Sequence, residues 1–286
     1  MPAPLSDAPF REFTALTSTG EGTYSASIDP IWTIGPKVHG GSMMSLVAAA
    51  GRRALFDTAT EDRPVADSVQ PLAVAANYLS APDPGEVSLT AIIRKRGKQA
   101  SFVDVELSQD GRTAVRAAVT LGTPDDAEPE YTVPSSVAEL PVSPPENALR
   151  IEGEHPMAKI VNVARGCEIW IDPDSAPFLT GKTGEPQVRM WVRPRPGDEQ
   201  DVDTAALFAI MTGDISAPVT VNRGKFGWAP TVQLTTYLRR QPAPGWLRVM
   251  ASSTVLGATW FEEDHTVLDS TGAVVVQSRQ LAMIPR

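Results

Sequence analysis

The stretch that decides the fold is Pro71–Leu79, which reads PLAVAANYL, because its pattern returns at Pro230–Leu238 as PTVQLTTYL. Pro, Tyr and Leu recur at a constant offset of 159 residues (230 − 71 = 159). Each copy is followed by Pro-Gly, a strand-like run, a lone glycine, a second run, a polar turn with glycine and a third run. Solenoid repeats have periods of about 20 to 50 residues, so this much longer period predicts a duplicated domain.

Composition limits the class of protein. The 286 residues suit two domains of ordinary size, and 42% hydrophobic with 21% charged residues is normal for a globular chain. No apolar run reaches the length of about 20 residues that a membrane-spanning helix needs. The formal net charge of −9 argues against nucleic acid as a partner, since phosphate backbones are bound by concentrated positive charge. A small anionic ligand remains compatible with this charge.

The N-terminal sequence has neither a basic start nor an apolar signal core. Cys167 is the single cysteine, which excludes an internal disulfide and fits a reducing compartment. We therefore expect a cytoplasmic protein, with Cys167 as a small core residue on a strand.

The chain divides into a first unit, residues 1–122, a linker, residues 123–150, and a second unit, residues 151–286. In the first unit Gly40-Gly41 opens a helix-like run, Ser42–Phe56, that is apolar on nearly all sides and should be buried. The linker is rich in proline and acidic residues, so we expect it to run extended over the surface without a packed element.

The rest of each unit reads as strands with one further helix. Asp203 is the expected N-cap of a second helix over Thr204–Thr212. One apolar helix followed by an antiparallel sheet, occurring twice, predicts an α+β fold with each helix on its sheet. Alternating apolar residues predict strands at 21–28, 87–95, 100–108, 113–121, 159–171, 187–193, 246–255, 258–268 and 273–283.

The arrangement resembles a double hotdog protein, in which a curved antiparallel sheet wraps one long helix in each of two tandem units. The resemblance lies in Val38–Gly41 at the first helix start, the two Pro…Tyr-Leu strands and three polar residues of the second half. Asp214, Thr231 and Gln280 match the Asp, Thr and Gln motifs of the bacterial thioesterase II type of acyl-CoA thioesterase, in the same order. The family's usual His in the Thr strand is Leu234 here.

The resemblance implies hydrolysis of a fatty acyl-CoA without a cofactor. Asp214 would accept a proton from water, and Thr231 and Gln280 would orient that water. A backbone N–H at the helix start would stabilise the oxyanion, and Gly40 and Gly41 would let the substrate approach it.

Comparison of the two copies points to one working site per chain. At the offset of 159, Thr231 corresponds to Leu72, and near the polar turns an offset of 161 pairs Gln280 with Val119. Two polar positions of the second half are thus apolar in the first. This asymmetry predicts that the first half is a scaffold.

Other residues carry weaker expectations. His39, with Gly40 and Gly41, could contact the thioester, although a helix-start His bonded to backbone is the simpler interpretation. Related hotdog proteins place a basic segment such as Arg96-Gly97-Lys98 near the nucleotide end of coenzyme A, whereas an isolated basic turn is normally solvated. The remaining histidines, His155 and His265, are expected at the surface. His and Cys are scattered without metal-ligand spacing, so no metal is expected.

Two alternatives to an acyl-CoA thioesterase stay open. A hotdog protein could bind acyl-CoA or lipid without catalysis. An enoyl-CoA hydratase would use an Asp and a His five residues apart, but the residue five after Asp214 is Val219 and the one five before His39 is Ile34. Hotdog units usually pair and one chain already holds a pair, so further homo-oligomerisation is possible.

Overall fold

The computed structural model describes residues 6–285, which form two helix-on-sheet units sharing one antiparallel sheet. The first unit contains α1 (Pro9–Thr14), β1 (Thr17–Gly20), β2 (Thr23–Ile28), β3 (Thr33–Ile34), β4 (Lys37–Val38), α2 (Gly40–Asp57), β5 (Gln70–Tyr78), β6 (Gly85–Lys95), β7 (Ser101–Gln109) and β8 (Arg112–Gly122). The second contains β9 (Leu149–Arg150), α3 (Val163–Gly166), β10 (Cys167–Ile171), β11 (Gln187–Pro194), α4 (Val202–Thr212), β12 (Thr231–Leu238), β13 (Leu247–Ser252), β14 (Trp260–Leu268) and β15 (Val274–Met283).

The two units join at the centre of a 13-stranded sheet. Its order is β1-β2-β6-β7-β8-β5-β12-β15-β14-β13-β11-β10-β9, and β3 and β4 form a separate two-stranded sheet. The repeated strands β5 and β12 are neighbours and run antiparallel, from Gln233 opposite Asn77 to Tyr237 opposite Ala73. The predicted α+β fold of two tandem hotdog units is confirmed. No helix within residues 6–285 has both the length and the apolar character required to traverse a bilayer.

Helix α2 is the buried helix that the sequence predicts, and its small side chains allow close packing. The Ser45 hydroxyl donates to the Leu207 carbonyl of α4 at 3.0 Å, so a short side chain of α2 reaches the backbone of α4. On the sheet side, a Cβ atom on Gly51 would lie 3.0 Å from Cβ of Val119, closer than side chains normally pack. Glycine at this position lets α2 lie directly on β8.

Helix α4 begins two residues before the predicted start. Asp201, and not Asp203, is the N-cap, and its carboxylate accepts from the Thr204 N–H at 2.8 Å. Asp203 lies in the first turn, where it accepts from Gln70 Nε2 at 2.6 Å and pairs with Arg52 Nη1 at 2.8 Å. Both acids can cap a helix. Asp201 takes this role here, while Asp203 binds residues of the first unit.

Two predicted strands are shorter in the structure. Within 159–171 only Cys167–Ile171 is a strand, because a 3-10 helix (Pro156–Lys159) and α3 precede it. The strand expected at 21–28 is β2 (Thr23–Ile28), which pairs with β1, and Gly22 lies in the turn between them at φ 64°. Cys167 is a buried strand residue, as expected.

The linker is not a bare extended segment. Residues Ser136–Glu139 form a 3-10 helix, and Val137 and Leu140 are buried with Trp191 in a separate apolar cluster. The Arg248 guanidinium donates to the Leu140 carbonyl at 3.0 Å. Two apolar side chains three residues apart suffice to pack this part of the linker, despite the surrounding prolines.

The structural repeat is one residue out of step with the sequence match. In the first unit Ala76 pairs with Ala117, and in the second Thr236 pairs with Ser278. At the offset of 161 that holds after the polar turns, Ser278 corresponds to Ala117 (278 − 161 = 117). Their partners Thr236 and Ala76 therefore also correspond, so the offset between β5 and β12 is 160 (236 − 76). A shift of one residue exchanges the two faces of a strand. Tyr78 accordingly faces α2, whereas Tyr237 faces outward and is 46% exposed.

This register changes one predicted correspondence. Thr231 is equivalent to Pro71 and not to Leu72, since 231 − 160 = 71 and both residues lie just before a bulge. Gln280 is equivalent to Val119, because they pair with the equivalent residues Leu234 and Val74. The polar-for-apolar difference between the halves is therefore kept.

Candidate active site

The carboxylate of Asp214 lies over the N-terminus of α2, just beyond the end of α4. It accepts a hydrogen bond from the Gly41 N–H, and its side chain is 10% exposed. A Cβ atom on Gly40 would collide with Asp214 Oδ2, and one on Gly41 with the Met211 carbonyl. These glycines thus admit Asp214 and the end of α4 to the helix start, and their role in the approach of the substrate stays a prediction.

Burial raises the pKa of Asp214 to about 7, and the hydrogen bond from the Gly41 N–H offsets part of this shift. Removal from water disfavours the charged form, whereas an N–H donor and a helix N-terminus favour it. A carboxyl group balanced near neutrality can both take up and release a proton at physiological pH.

His39 caps α2 and supports the backbone of Asp214. Its Nδ1 accepts from the Ser42 N–H at 3.2 Å, and Nε2 lies 2.7 Å from the Asp214 carbonyl oxygen. The ring must therefore carry its proton on Nε2 and donate it to that carbonyl. Burial lowers the pKa of His39 to about 4, so the ring is neutral at pH 7. His39 therefore supports the helix start and the backbone of Asp214, and its contact with the thioester stays a prediction.

Tyr78 lies beside Asp214 at the start of α2, a contact that the sequence did not predict. Its hydroxyl donates to the Gly40 carbonyl at 3.0 Å, and burial, with the charge of Asp214, raises its pKa. The tyrosine of the other copy, Tyr237, faces outward, so the shared Pro…Tyr-Leu pattern hides this difference.

Thr231 and Gln280 are brought together at the ends of β12 and β15. The Thr231 hydroxyl donates to Gln280 Oε1 at 2.5 Å. Gln280 is buried, and its Nε2 donates to Glu263 Oε1 at 3.0 Å. One end of the amide therefore faces Thr231 and the other faces an acid of β14.

Glu263 and His265 form a buried polar group behind Gln280, with the half-buried Ser216 beside them. The expected surface position of His265 is wrong, since Glu263 and His265 are each 1% exposed. Along β14 the chain alternates faces, so Glu262 and Asp264 point outward while Glu263 and His265 point inward. The Ser216 hydroxyl lies 3.2 Å from Glu263 Oε1 and 3.0 Å from His265 Nε2.

The repeat contains a signal that could have found these residues. Gln280 pairs with Glu263, and its counterpart Val119 pairs with Val103. One step along the same face, His265 corresponds to Val105. Inward valines of the first half are thus an acid and a histidine in the second. The strand register was needed to align them.

Asp214 reaches the same face of the sheet through the segment that follows α4. The Ser278 hydroxyl donates to the Gly213 carbonyl at 2.6 Å, which places that segment over β15. The charge of Asp214 also contributes to the raised pKa of Glu263, so the two carboxyl groups interact electrostatically. Among residues 6–285 no direct hydrogen bond joins Asp214 to Thr231 or Gln280. A water would have to connect them.

The segment Arg96-Gly97-Lys98 lies at the other end of α2. The Arg96 guanidinium donates to the Leu55 carbonyl at 3.1 Å and to the Thr58 hydroxyl, both at the helix C-terminus. Eighteen residues at about 1.5 Å each separate this end from Gly40 by about 27 Å. The structure does not bring the segment to Asp214, and its contact with coenzyme A stays a prediction.

No group of three or more His, Cys, Asp or Glu side chains is arranged to hold a metal ion within the described part of the chain. The candidate site consists of a carboxylate, a hydroxyl and an amide, with further polar groups behind them.

Comparisons with known proteins cover nearly the whole chain. The family model "Acyl-CoA thioesterase N-terminal domain" matches residues 28–122, and "Acyl-CoA thioesterase C-terminal domain" matches residues 134–284. An uncharacterized protein of Mycobacterium tuberculosis is 45% identical over 276 residues, which cover 92% of this chain and 91% of that protein.

Solved structures are similar over the same extent. A candidate thioesterase II from Thermobifida fusca is 25% identical, with a TM-score of 0.80 over 98% of both chains. The acyl-CoA thioesterase II TesB2 from Mycobacterium marinum has a TM-score of 0.68 over 96% of both chains, and at 16% identity it supports the fold alone.

Proposed function

Because this chain belongs to the acyl-CoA thioesterase family, we propose that it hydrolyses a fatty acyl-CoA to the free fatty acid and CoA, using a water oriented by Asp214, Thr231 and Gln280. The observation that supports this most is the buried Asp214 carboxyl at a helix start, with a pKa of about 7. A linked Thr231–Gln280 pair lies on the same inward face of the sheet as the segment that carries Asp214.

The hydrogen bond between Thr231 and Gln280 supports one arrangement of this water. Because Thr231 donates its own proton to Gln280, its oxygen can only accept from the water. The ionised Asp214 also accepts. Both water protons are then directed at protein oxygens, and a lone pair of the water is left for the thioester carbonyl carbon. Such positioning lowers the barrier without a covalent enzyme intermediate.

The chemical steps balance with Asp214 as the proton carrier. The water oxygen bonds to the carbonyl carbon while one water proton moves to Asp214. The C–S bond then breaks, and the departing sulfur of CoA takes the proton from Asp214. The products are the fatty acid and free CoA thiol, and Asp214 is ionised again.

The N-terminus of α2 favours negative charge throughout this cycle. Before attack, the Gly41 N–H and the helix dipole stabilise the Asp214 carboxylate. Once Asp214 has taken the proton, the same dipole is available to the oxyanion. We propose one such site per chain, in the second half. The single Cys167 supports a cytoplasmic setting, and assembly into homo-oligomers is a separate proposal.

Purified protein tests this function directly. Release of free thiol is measured with short-, medium- and long-chain acyl-CoAs, for the wild type and for Asp214→Asn. We expect hydrolysis of at least one chain length and a loss of about 10²- to 10⁴-fold in kcat for Asp214→Asn. Asp62→Asn, which removes an exposed carboxylate of a loop, is the matched control and should keep wild-type rates.

Two outcomes would contradict the proposal. Binding of acyl-CoA without any thiol release would make the protein a non-catalytic acyl-CoA binder. Addition of water to a trans-enoyl-CoA, with the thioester left intact, would make it a hydratase.

A further inference from the structure

Glu263 is a buried acid that the proposed reaction does not use. Both carboxylate oxygens are hydrogen bonded: Oε1 accepts from Gln280 Nε2 at 3.0 Å and Ser216 Oγ at 3.2 Å, and Oε2 accepts from the Val219 N–H at 2.7 Å. Burying an acid costs free energy even when its partners are present. At the equivalent place in the first half the fold uses Val103, so it does not need an acid there.

The contact with Gln280 has a consequence for the amide. A carboxylate accepts hydrogen bonds only, so it selects the NH₂ end of the amide. The carbonyl end must then face Thr231, and Thr231 must donate to it. Without Glu263 the amide could turn over. Thr231 would then accept from the NH₂ group, and its own proton would point at the water.

We propose that Glu263 is a positioning residue: by accepting from the Gln280 amide it fixes the amide orientation, and with it the direction in which the Thr231 hydroxyl points. This inference rests on the proposed function, because it assigns Glu263 a part in holding the same water. Ser216 and His265 hold the carboxylate in turn, since the Ser216 hydroxyl lies within hydrogen-bond reach of both.

When Glu263 is protonated it no longer selects the NH₂ end of the Gln280 amide, because a neutral carboxylic acid can also donate to the amide oxygen. Burial raises the pKa of Glu263 to about 8. The titratable groups that face it are Asp214, after α4, and His265, on its own strand; His39, at the start of α2, acts on His265. Burial lowers the pKa of both histidines to about 4, so neither changes charge near pH 8. The rate of hydrolysis should therefore show an additional increase as pH rises through about 8.

The test is a double-mutant cycle on the full chain with an acyl-CoA that the wild type cleaves. Glu263→Val, which installs the residue of the first half, should lower kcat by about 10- to 100-fold with little change in KM, as expected for a misplaced group. Glu263→Gln, which keeps an acceptor, should lose less and should lack the step near pH 8. In a Gln280→Ala background, Glu263→Val should cost nothing further. Glu262→Gln, on the outward face of the same strand, is the control.

The outcomes separate this inference from the proposed function. If Gln280→Ala lowers kcat and Glu263→Val does not, Glu263 has no positioning role and the proposed function stands. An equal loss from Glu263→Val with and without Gln280 would show that Glu263 does not act through the amide. Full activity in both Asp214→Asn and Gln280→Ala overturns the catalytic site and this inference together. If Glu263→Val does not fold, the pH profile of Glu263→Gln decides, and an unchanged step near pH 8 contradicts the inference.

Discussion

At the scale of single residues, the second half carries polar side chains where the first half carries apolar ones. The corresponding pairs on the inward face of the sheet are Pro71 and Thr231, Val103 and Glu263, Val105 and His265, and Val119 and Gln280. Each polar member has a hydrogen-bond partner, which keeps the cost of its burial tolerable. A set of substitutions confined to one half is more simply explained by chemistry than by folding.

We expect the ionised Asp214 side chain to lower the stability of the folded protein. Its pKa of about 7 in the folded chain lies well above the ordinary value of 3.8. The folded state therefore holds this proton more tightly than the unfolded state, so stability falls as pH rises from about 4 to about 7. Asp214→Asn should raise the free energy of unfolding at pH 8 by about 1 to 3 kcal/mol, less than the full shift implies because a charge-assisted hydrogen bond is lost.

Thermal unfolding of Asp214→Asn and wild type at pH 4 and pH 8 checks this prediction. The gain in Tm should be large at pH 8 and nearly absent at pH 4. An equal gain at both values would show that Asp214 is not a buried acid of raised pKa.

The same pKa predicts the pH dependence of the reaction. The base must be ionised, so kcat/KM should rise about tenfold per pH unit below a midpoint near 7, before the further rise near pH 8 that ionisation of Glu263 adds. Steady-state rates between pH 5 and 9 measure this with the natural substrate class. A profile that falls across that range would rule out Asp214 as the base. Any second step above the first belongs jointly to Asp214 and Glu263, because the two interact.

At the scale of elements, the two helices use the sheet differently. In the first half α2 covers the inward face, and Gly51 lies against Val119. In the second half α4 ends at Thr212, and the segment after it supplies Asp214 and Ser216 above β14 and β15. A shorter helix thus leaves room for a polar site.

A reciprocal exchange tests this difference. Val119→Gln places an amide beneath Gly51 without a matching acid, so we expect a loss of about 1 to 3 kcal/mol in stability with unchanged kcat per folded molecule. Gln280→Val removes the amide from the site, so kcat should fall while the loss of stability stays smaller. Chemical denaturation and thiol release on both variants are the measurements. A large stability loss in Gln280→Val with normal turnover would mean that Gln280 is structural.

Elements with strong periodicity could be predicted from the sequence, and packing partners could not. The helix at Ser42–Phe56 and the hairpin strands follow from local patterns of apolar residues and turns. The sequence predicts Asp203 as the N-cap of α4, but Asp201 has the same side chain two residues earlier and occupies that position. The 3-10 helix of the linker could not be predicted from local sequence, because Val137 and Leu140 pack against strands distant in sequence.

The site was predictable to the extent that it resembles a family motif. Asp214, Thr231 and Gln280 stand out by order and spacing, whereas Glu263 and His265 lie in a charged run that resembles a solvated strand. Only the inward register of β14 distinguishes them. The one-residue difference between the sequence repeat and the structural repeat also requires the structure. It places Tyr78 on the inward face of the sheet and Tyr237 on the outward face.

At the scale of the whole molecule, two units share one sheet, and the proposed site draws on both. The first contributes the N-terminus of α2, with Gly41 and His39, and the second contributes Asp214 and the Thr231–Gln280 pair. The proposed site therefore lies at the junction of the two halves. A molecule of this kind should contain one acyl-CoA site, although it contains two hotdog units.

Binding stoichiometry tests the division of work. Titration calorimetry with a non-hydrolysable acyl-CoA thioether should give one site per chain. Asp62→Asn should leave that value unchanged. Two equivalent sites per chain would mean that the first half also binds substrate, and that the loss of polar residues there has no functional meaning.

The most direct test of water as the nucleophile is a single turnover in ¹⁸O-labelled water, with enzyme in excess over acyl-CoA. If Asp214 activates a water, the released fatty acid carries one ¹⁸O atom after the first turnover, and the Asp214 carboxylate stays unlabelled. An unlabelled fatty acid, with ¹⁸O found in the Asp214 carboxylate, would show that the carboxylate attacks the thioester itself.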